Sequence, residues 1–542
     1  MKTRARSGPG GAEGSEPSAP GAASGDAIGR TRATARLSRL CRDTAYRAVL
    51  VAALLVVVLL SLMVVRLPWA GDLGMHAAVL ERLIAHPAHP GNPLVDADTP
   101  SPYYSPWTVA LALLARATGA TTFQTLRIAA LIDLVLLVSG LRLYVRTFTR
   151  RRWALPLAVL CPTLLCGVRL FTWSGYPGLT SLSLCLAYPS TFALGLSFHL
   201  WALVRRALRD GWRLPGYLGP GLMLAVIASS HQFTGVVAVL GVLGVVLGAR
   251  PRPSRRVWPR LAAGAVLALV VLGAWPYYSF FSLLTVGGLE EIHRPLYQHL
   301  LAHFGLVLLG VAALTVRFRR DRRDPLVLFF ALGALVYTAG GLTAHWSWGR
   351  VQPAMLIPAQ IALAVEVAGA SGRAVRRVLT PLTAAALLVG AWVQAGTLGY
   401  VLREDAVPPV LRGVPAQKAW RGYGWLDGRV ADGDTVMTKD YFAQRMIPAY
   451  GPYTVAPAYP DFFLPDERQR HHDVERYFAD GTPRRERAAI LAKYHVRWIV
   501  SRPGDGGLAP DDPAVRLVER GPRHEQLLRF LGGTPREGRA AR

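Results

Sequence analysis

The chain carries little charge for its length, and almost none of that charge is lysine. Of 542 residues, 18% are charged and 52% are hydrophobic. A soluble chain of this size carries roughly a quarter of its residues as charges, so an ordinary multidomain soluble protein is excluded. Acids are scarcer than bases, 34 against 61, which leaves a net charge of +27. Cysteine is also scarce: Cys41, Cys161, Cys166 and Cys185. Four cysteines at these spacings make neither a disulfide framework nor a zinc pattern, and they read as small buried hydrophobes. Residues 401–542 contain no cysteine, so nothing there depends on the redox state of its compartment.

What is abundant is apolar and comes in blocks. Residues 48–65 contain no charge and approach the roughly 20 residues that a helix needs to cross a bilayer. Similar blocks recur near 188–204, 221–249, 261–284, 304–316, 325–344, 351–365 and 378–402. A basic chain can be a nucleic-acid binder, but here the arginines fall in short clusters between the apolar blocks. Examples are "RTFTRRRW" (146–153), "RRALRDGWR" (205–213), "ARPRPSRR" (249–256) and "RFRRDRRD" (317–324). That is the placement expected of cytoplasmic loops, and no nucleic-acid partner is expected. Arginine far above lysine, with much Ala, Gly and Pro, fits a GC-rich genome.

These features predict an α-helical polytopic membrane protein with about 11 transmembrane helices and a C-terminal extracytoplasmic α/β domain. Residues 1–45 read as a disordered basic cytoplasmic tail, 46–400 as the transmembrane domain and 68–104 as its first outer loop. Residues 106–118 are short and carry Arg116, so a partial or interfacial segment is expected there. Residues 401–542 alternate strand-like "DTVMT" (434–438) and "VRWIV" (496–500) with helix-like 466–478 and 484–494, which predicts the α/β domain.

The informative polar residues are those assigned to the outer side. "GDLGMHAAVLERL" (71–83) puts Asp72 and His76 on one helical face. Asp72 as a simple helix cap and His76 as an interfacial histidine are the plainer alternatives. "SPYYSPW" supplies Tyr103 and Tyr104, "SSHQF" supplies His231, and "GGLEEIHRPLYQHL" supplies Glu290, Glu291 and Arg294. "AHWSWGRVQP" supplies Trp346 and Arg350. Arg350 opposes the inside bias, and its planar fork suits a phosphate. Trp346 and Trp348 have the alternative of an aromatic belt, and His471–His472 that of a solvated face. Aromatics stack on sugar rings, arginines hold phosphates, and a carboxylate can deprotonate a hydroxyl. Together they suit transfer of a sugar from a lipid-linked phosphate.

The layout resembles the GT-C superfamily of membrane glycosyltransferases. The resemblance rests on "WAGDLGMHAAVLERL" followed by "PSPYYSPWTVALALLARATGA", on "SHQFTGVVAVL" and on "HWSWGRVQP". It covers about 45–400 in architecture and only those stretches in residues. It implies Asp72 as the catalytic or metal-associated carboxylate, and Arg350, with Arg294, on the donor phosphate. His76, Tyr103, Tyr104, His231 and Trp346 would bind substrate. Asp72, Glu290 and Glu291 would be candidate ligands for a divalent cation, Mg or Mn. The implied activity is inverting transfer from a polyprenyl-phosphate sugar to a cell-envelope glycan, lipid or protein at the bilayer. Actinobacterial arabinofuranosyltransferases are plausible relatives. Two departures stand out: Leu73 follows Asp72 where many members have a second acid, and Gln232 follows His231 where Pro is frequent. A transporter or lipid flippase is the main rival, for which Asp133 and Glu366 are the clearest charges within spans. A membrane-anchored scaffold or sensor is the third reading.

Overall fold

The computed structural model describes residues 23–285, 289–369, 372 and 375–532. Two compact units divide after Ala52, and residues 53–542 hold every element beyond the first half of helix α1. Helix α1, Ala23–Arg66, begins inside the stretch expected to be unstructured, and residues 1–22 lie outside the described residues. After it come α2 (Leu73–Ala85), α3 (Pro106–Thr118), α4 (Thr122–Phe148), α5 (Ala154–Leu164), α6 (Leu179–Cys185), α7 (Pro189–Asp210), α8 (Pro215–Ser230), α9 (Gln232–Leu247) and α10 (Val257–Gly273).

The protein is a multi-pass membrane protein, with fewer long spans than its hydropathy blocks imply. Among the described residues six helices are long and apolar enough to cross a membrane, or seven if α6 and α7, bent by 118°, count as one span. Other apolar helices are shorter. Residues 221–249 break at His231 into α8 and α9, each of 16 residues, and α10 has 17. Helix α3 is 13 residues long, about 20 Å at 1.5 Å per residue, short of the bilayer core as the partial-segment reading required.

Lipid supplies little hydrophobic drive for helices to associate, so close approach at small residues matters. Gly140 of α4 meets Gly195 of α7, where an added Cβ would sit 2.7 Å from Gly195 O. Glu366 pairs with Arg317 at 3.1 Å and Arg320 at 2.8 Å. The other charge singled out within a span, Asp133, is fully buried, and neither of its oxygens has a hydrogen-bond partner.

The C-terminal region forms a five-stranded mixed sheet of β1 (Thr435–Met437), β2 (Tyr453–Thr454), β3 (Val496–Ser501), β4 (Val515–Arg520) and β5 (Gln526–Phe530). Its order is β2-β1-β3-β5-β4. β1 runs parallel to both neighbours, and β5 runs antiparallel to β3 and β4. Helices Glu467–Phe478 and Arg484–Lys493 follow the expected limits closely.

This domain grips the loop after α1. Arg82 of α2 is buried and donates to Gly451 O at 2.7 Å and Pro452 O at 2.8 Å, with its guanidinium 3.6 Å from the Tyr453 ring centroid. Thr454 N donates to Leu94 O, and Trp420 N to Trp69 O. Gly74 is required for the same contact, because a Cβ there would collide with the backbone carbonyl of Arg445. Substituting Arg82 with Met keeps aliphatic bulk but strands two carbonyls. The expected loss is about 3 kcal/mol, read as a lower unfolding temperature in detergent and faster proteolysis near residue 401. An unchanged melting curve and digestion pattern would refute this role.

Candidate active site

The site begins where α2 begins. Gly71 has φ +55 and turns the chain so that Asp72 takes the N-cap position of α2. The Asp72 side chain makes no capping bond, which removes the helix-cap alternative. It is instead 38% exposed, with Oδ1 3.5 Å from Arg445 Nη1 of the C-terminal domain. The Arg445 guanidinium lies 4.0 Å from the Tyr459 ring centroid and 4.4 Å from that of Tyr441. Tyr459 Oη donates to Gly71 O at 3.1 Å.

One turn on, His76 packs edge-on against Tyr188, with ring centroids 4.6 Å apart. Its residue is 8% exposed, and Nδ1 has no hydrogen-bond partner. Burial lowers its pKa from the usual 6.5 to about 4, outweighing the upward pull of Asp72. Tyr103 feels Asp72, Asp461 and Arg445, and burial first, then the two acids, pushes its phenol up. Tyr104 is buried, its hydroxyl donates to Gly91 O, and its carbonyl accepts from Trp275 Nε1. It holds the loop rather than facing open space.

A second cluster gathers around Arg350, in the short 3-10 helix Trp346–Val351. Arg350 is 5% exposed. Nη2 donates to Ser174 Oγ at 3.1 Å and lies 3.2 Å from His231 Nε2. Nε and Nη1 are buried with no partner. The guanidinium carbon stands 4.6 Å from the Phe233 ring centroid and 5.6 Å from that of Trp173. His231 Nδ1 sits 2.7 Å from Thr234 Oγ1 and 3.2 Å from Thr234 N. Nδ1 accepts the Thr234 backbone N–H as the N-cap of α9, and the Arg350 guanidinium, which only donates, faces the other ring nitrogen. Burial first, then Arg350 and His76, hold His231 well below its usual pKa. Gly175, at φ +82, lets the 173–176 turn press against His231. Asp72 and Arg350 lie within electrostatic reach of each other, as do His76 and His231.

Other expected members are placed elsewhere. Glu290 spends both oxygens on Ser347, accepting from its backbone N and its Oγ at 2.8 Å each. Glu291 is 79% exposed and faces Arg294 at 3.6 Å, itself 57% exposed. Trp346 packs on Tyr297 at 5.2 Å. Among the described residues no three His, Cys, Asp or Glu side chains converge on a common point. Sequence reasoning missed Arg445, Tyr459 and Tyr188. The signal that could have drawn attention to the first two is the Tyr- and Pro-rich run "PAYGPYTVAPAYPDFF" (448–463), dense in aromatics but weak in strand or helix pattern.

No family model matches the chain, and no curated protein matches it. Solved structures do. The arabinofuranosyltransferase AftD from Mycobacteria superposes with a TM-score of 0.54 at 17% identity, over 90% of this chain and 40% of that one. ArnT from Cupriavidus metallidurans gives 0.49 at 14% identity, over 90% and 98%. The archaeal oligosaccharyltransferase AglB from Archaeoglobus fulgidus, in complex with an inhibitory peptide and a dolichol-phosphate, gives 0.42 at 13%, over 83% and 69%. The chain thus spans about two fifths of the length of AftD. At these identities the likeness to AftD is one of fold alone.

His76 gives the site a measurable pH signature. Its folded pKa lies below its unfolded value, so between about 4 and 6.5 the unfolded chain binds the extra proton. The stability contributed by neutral His76 is complete above pH 6.5 and is lost as pH falls toward 4. The variant His76→Gln should flatten the wild-type fall in unfolding temperature across that window. Equal slopes for the two proteins would contradict the buried neutral imidazole.

Proposed function

We propose that the protein is an integral membrane glycosyltransferase that moves a sugar from a polyprenyl-phosphate donor to a cell-envelope acceptor. The observation that carries this reading is Arg350: a buried guanidinium with Nε and Nη1 unpartnered, in electrostatic reach of a partly exposed carboxylate. A buried cation without partners is costly, and an arriving phosphate satisfies it through paired charge-assisted bonds. The fold shared with AftD supports the same reading.

On this reading the acceptor hydroxyl attacks the anomeric carbon as its proton passes to the Asp72 carboxylate. The bond from that carbon to the phosphate oxygen breaks, and the polyprenyl phosphate leaves with the electron pair. Arg350 meets the charge developing on the phosphate, a contribution that grows toward the transition state. His231 and Ser174 hold the guanidinium in place, and Phe233 and Trp173 keep water from it. Arg445 aims the Asp72 carboxylate. In this reading the N-terminus is cytoplasmic and the C-terminal domain outside, the orientation the basic loops favour.

The test is transfer of label from radiolabelled polyprenyl-phosphate sugars in membranes containing matched amounts of each variant. Asp72→Asn should abolish transfer, and Arg350→Gln should lower it about 100- to 1,000-fold. Equal transfer by wild type and Asp72→Asn would leave the enzyme class standing and remove this site. No donor consumption with native envelope acceptors present would favour a transporter.

A further inference from the structure

The arginine clusters at 146–153 and 205–213 take no part in the proposed chemistry. Helix α4 starts beside Trp69, which Phe123 touches at 5.6 Å, and α7 starts beside Ala70, whose carbonyl accepts from Tyr188 Oη. Both helices run away from Asp72, and α4, at 27 residues, carries its last turn about 40 Å off. There, Arg146, Thr147, Arg150, Arg206 and Arg209 line a cavity of about 350 Å³.

Neighbouring arginines are engaged within the fold. Arg205 lies over the Phe148 ring at 3.9 Å, Arg317 pairs with Asp324 and Glu366, and Arg250 pairs with Asp321. Among the cavity-lining arginines, Arg209 pairs with Asp210. Among the described residues no carboxylate forms an ion pair with Arg146 or Arg150, and Asp210, already paired with Arg209, acts on Arg206 only at longer range. The C-terminal ends of α4 and α7 offset about half a charge each, which leaves the cavity strongly positive. A topology signal needs arginines in the loop, but it needs neither their convergence on one cavity nor the absence of acids from its lining.

The position of the cavity favours a lipid over a soluble anion. Leu131 and Val135 of α4 are exposed, at 51% and 58%, and Arg142 and Arg146 continue the same helical stripe. Arg146 therefore ends an apolar, lipid-facing track two residues from the end of a membrane-spanning helix, at the level of lipid phosphates.

We propose that the cavity between the C-terminal ends of α4 and α7 binds the phosphate of an anionic phospholipid headgroup, whose chains lie along the Leu131–Val135 stripe. This is independent of the transferase reading, since it uses none of the same residues.

The test is native mass spectrometry of the full chain in detergent, titrated with phosphatidylglycerol or phosphatidylcholine. Wild type should retain phosphatidylglycerol in preference. Each arginine removed should weaken that retention about fivefold, and Arg146→Gln with Arg206→Gln about 25-fold. The matching double lysine variant, which keeps the charge, should recover most of it. If the double glutamine variant does not fold, Arg150→Gln, beyond the end of α4, should still show its own loss. Equal retention of both lipids, or full retention by the glutamine variants, overturns the proposal. Thermal protection by inorganic phosphate that these variants lose, without loss of phosphatidylglycerol, assigns the cavity to a soluble phosphoryl ligand instead.

Discussion

The fork of Arg82 holds the two halves of the site in one frame. Two adjacent carbonyls, Gly451 and Pro452, point at one side chain, and a guanidinium is the group that can satisfy both at once while lying flat on Tyr453. Because Arg82 is buried, water cannot substitute for either bond. With that joint made, Gly74 can press against the Arg445 carbonyl, and the Arg445 side chain is delivered to Asp72. The first loop and the sheet domain thus act as one body around the start of α2.

The site itself holds charge unevenly. Asp72 is open enough to meet a substrate, whereas Arg350 is sealed among Trp173, Phe233 and His231. The two histidines are neutral, His76 through burial and His231 through burial beside a fixed cation. Protonating either would add like charge to a region already short of anions. Arg350 keeps Nε and Nη1 unpartnered inside the fold.

Much of the architecture could be read from composition. Apolar blocks and arginine loops gave the membrane class, and period-2 runs gave β1 and β3 almost to the residue, because those signals are local. Span number is less legible: six or seven described helices are long and apolar enough to cross, while α8, α9 and α10 are apolar but only 16, 16 and 17 residues long. For the site, Asp72, His76, His231 and Arg350 were visible as polar residues in places where polarity needs a reason. Glu290 could not be separated from them, since its capture by Ser347 is a tertiary fact. Arg445 and Tyr459 were invisible for the same reason, lying among many similar residues of a polar domain.

The joint at Arg82 spans 369 and 370 positions of sequence, and the pair of Asp72 with Arg445 spans 373. Contacts so far apart close late, since the intervening chain must be made and inserted first. During synthesis Asp72 leaves the ribosome early and waits beside an unfinished bundle, with no partner and no phosphate grip. A ribosome that stalls between residues 400 and 452 leaves a chain with all its spans made and its site unassembled.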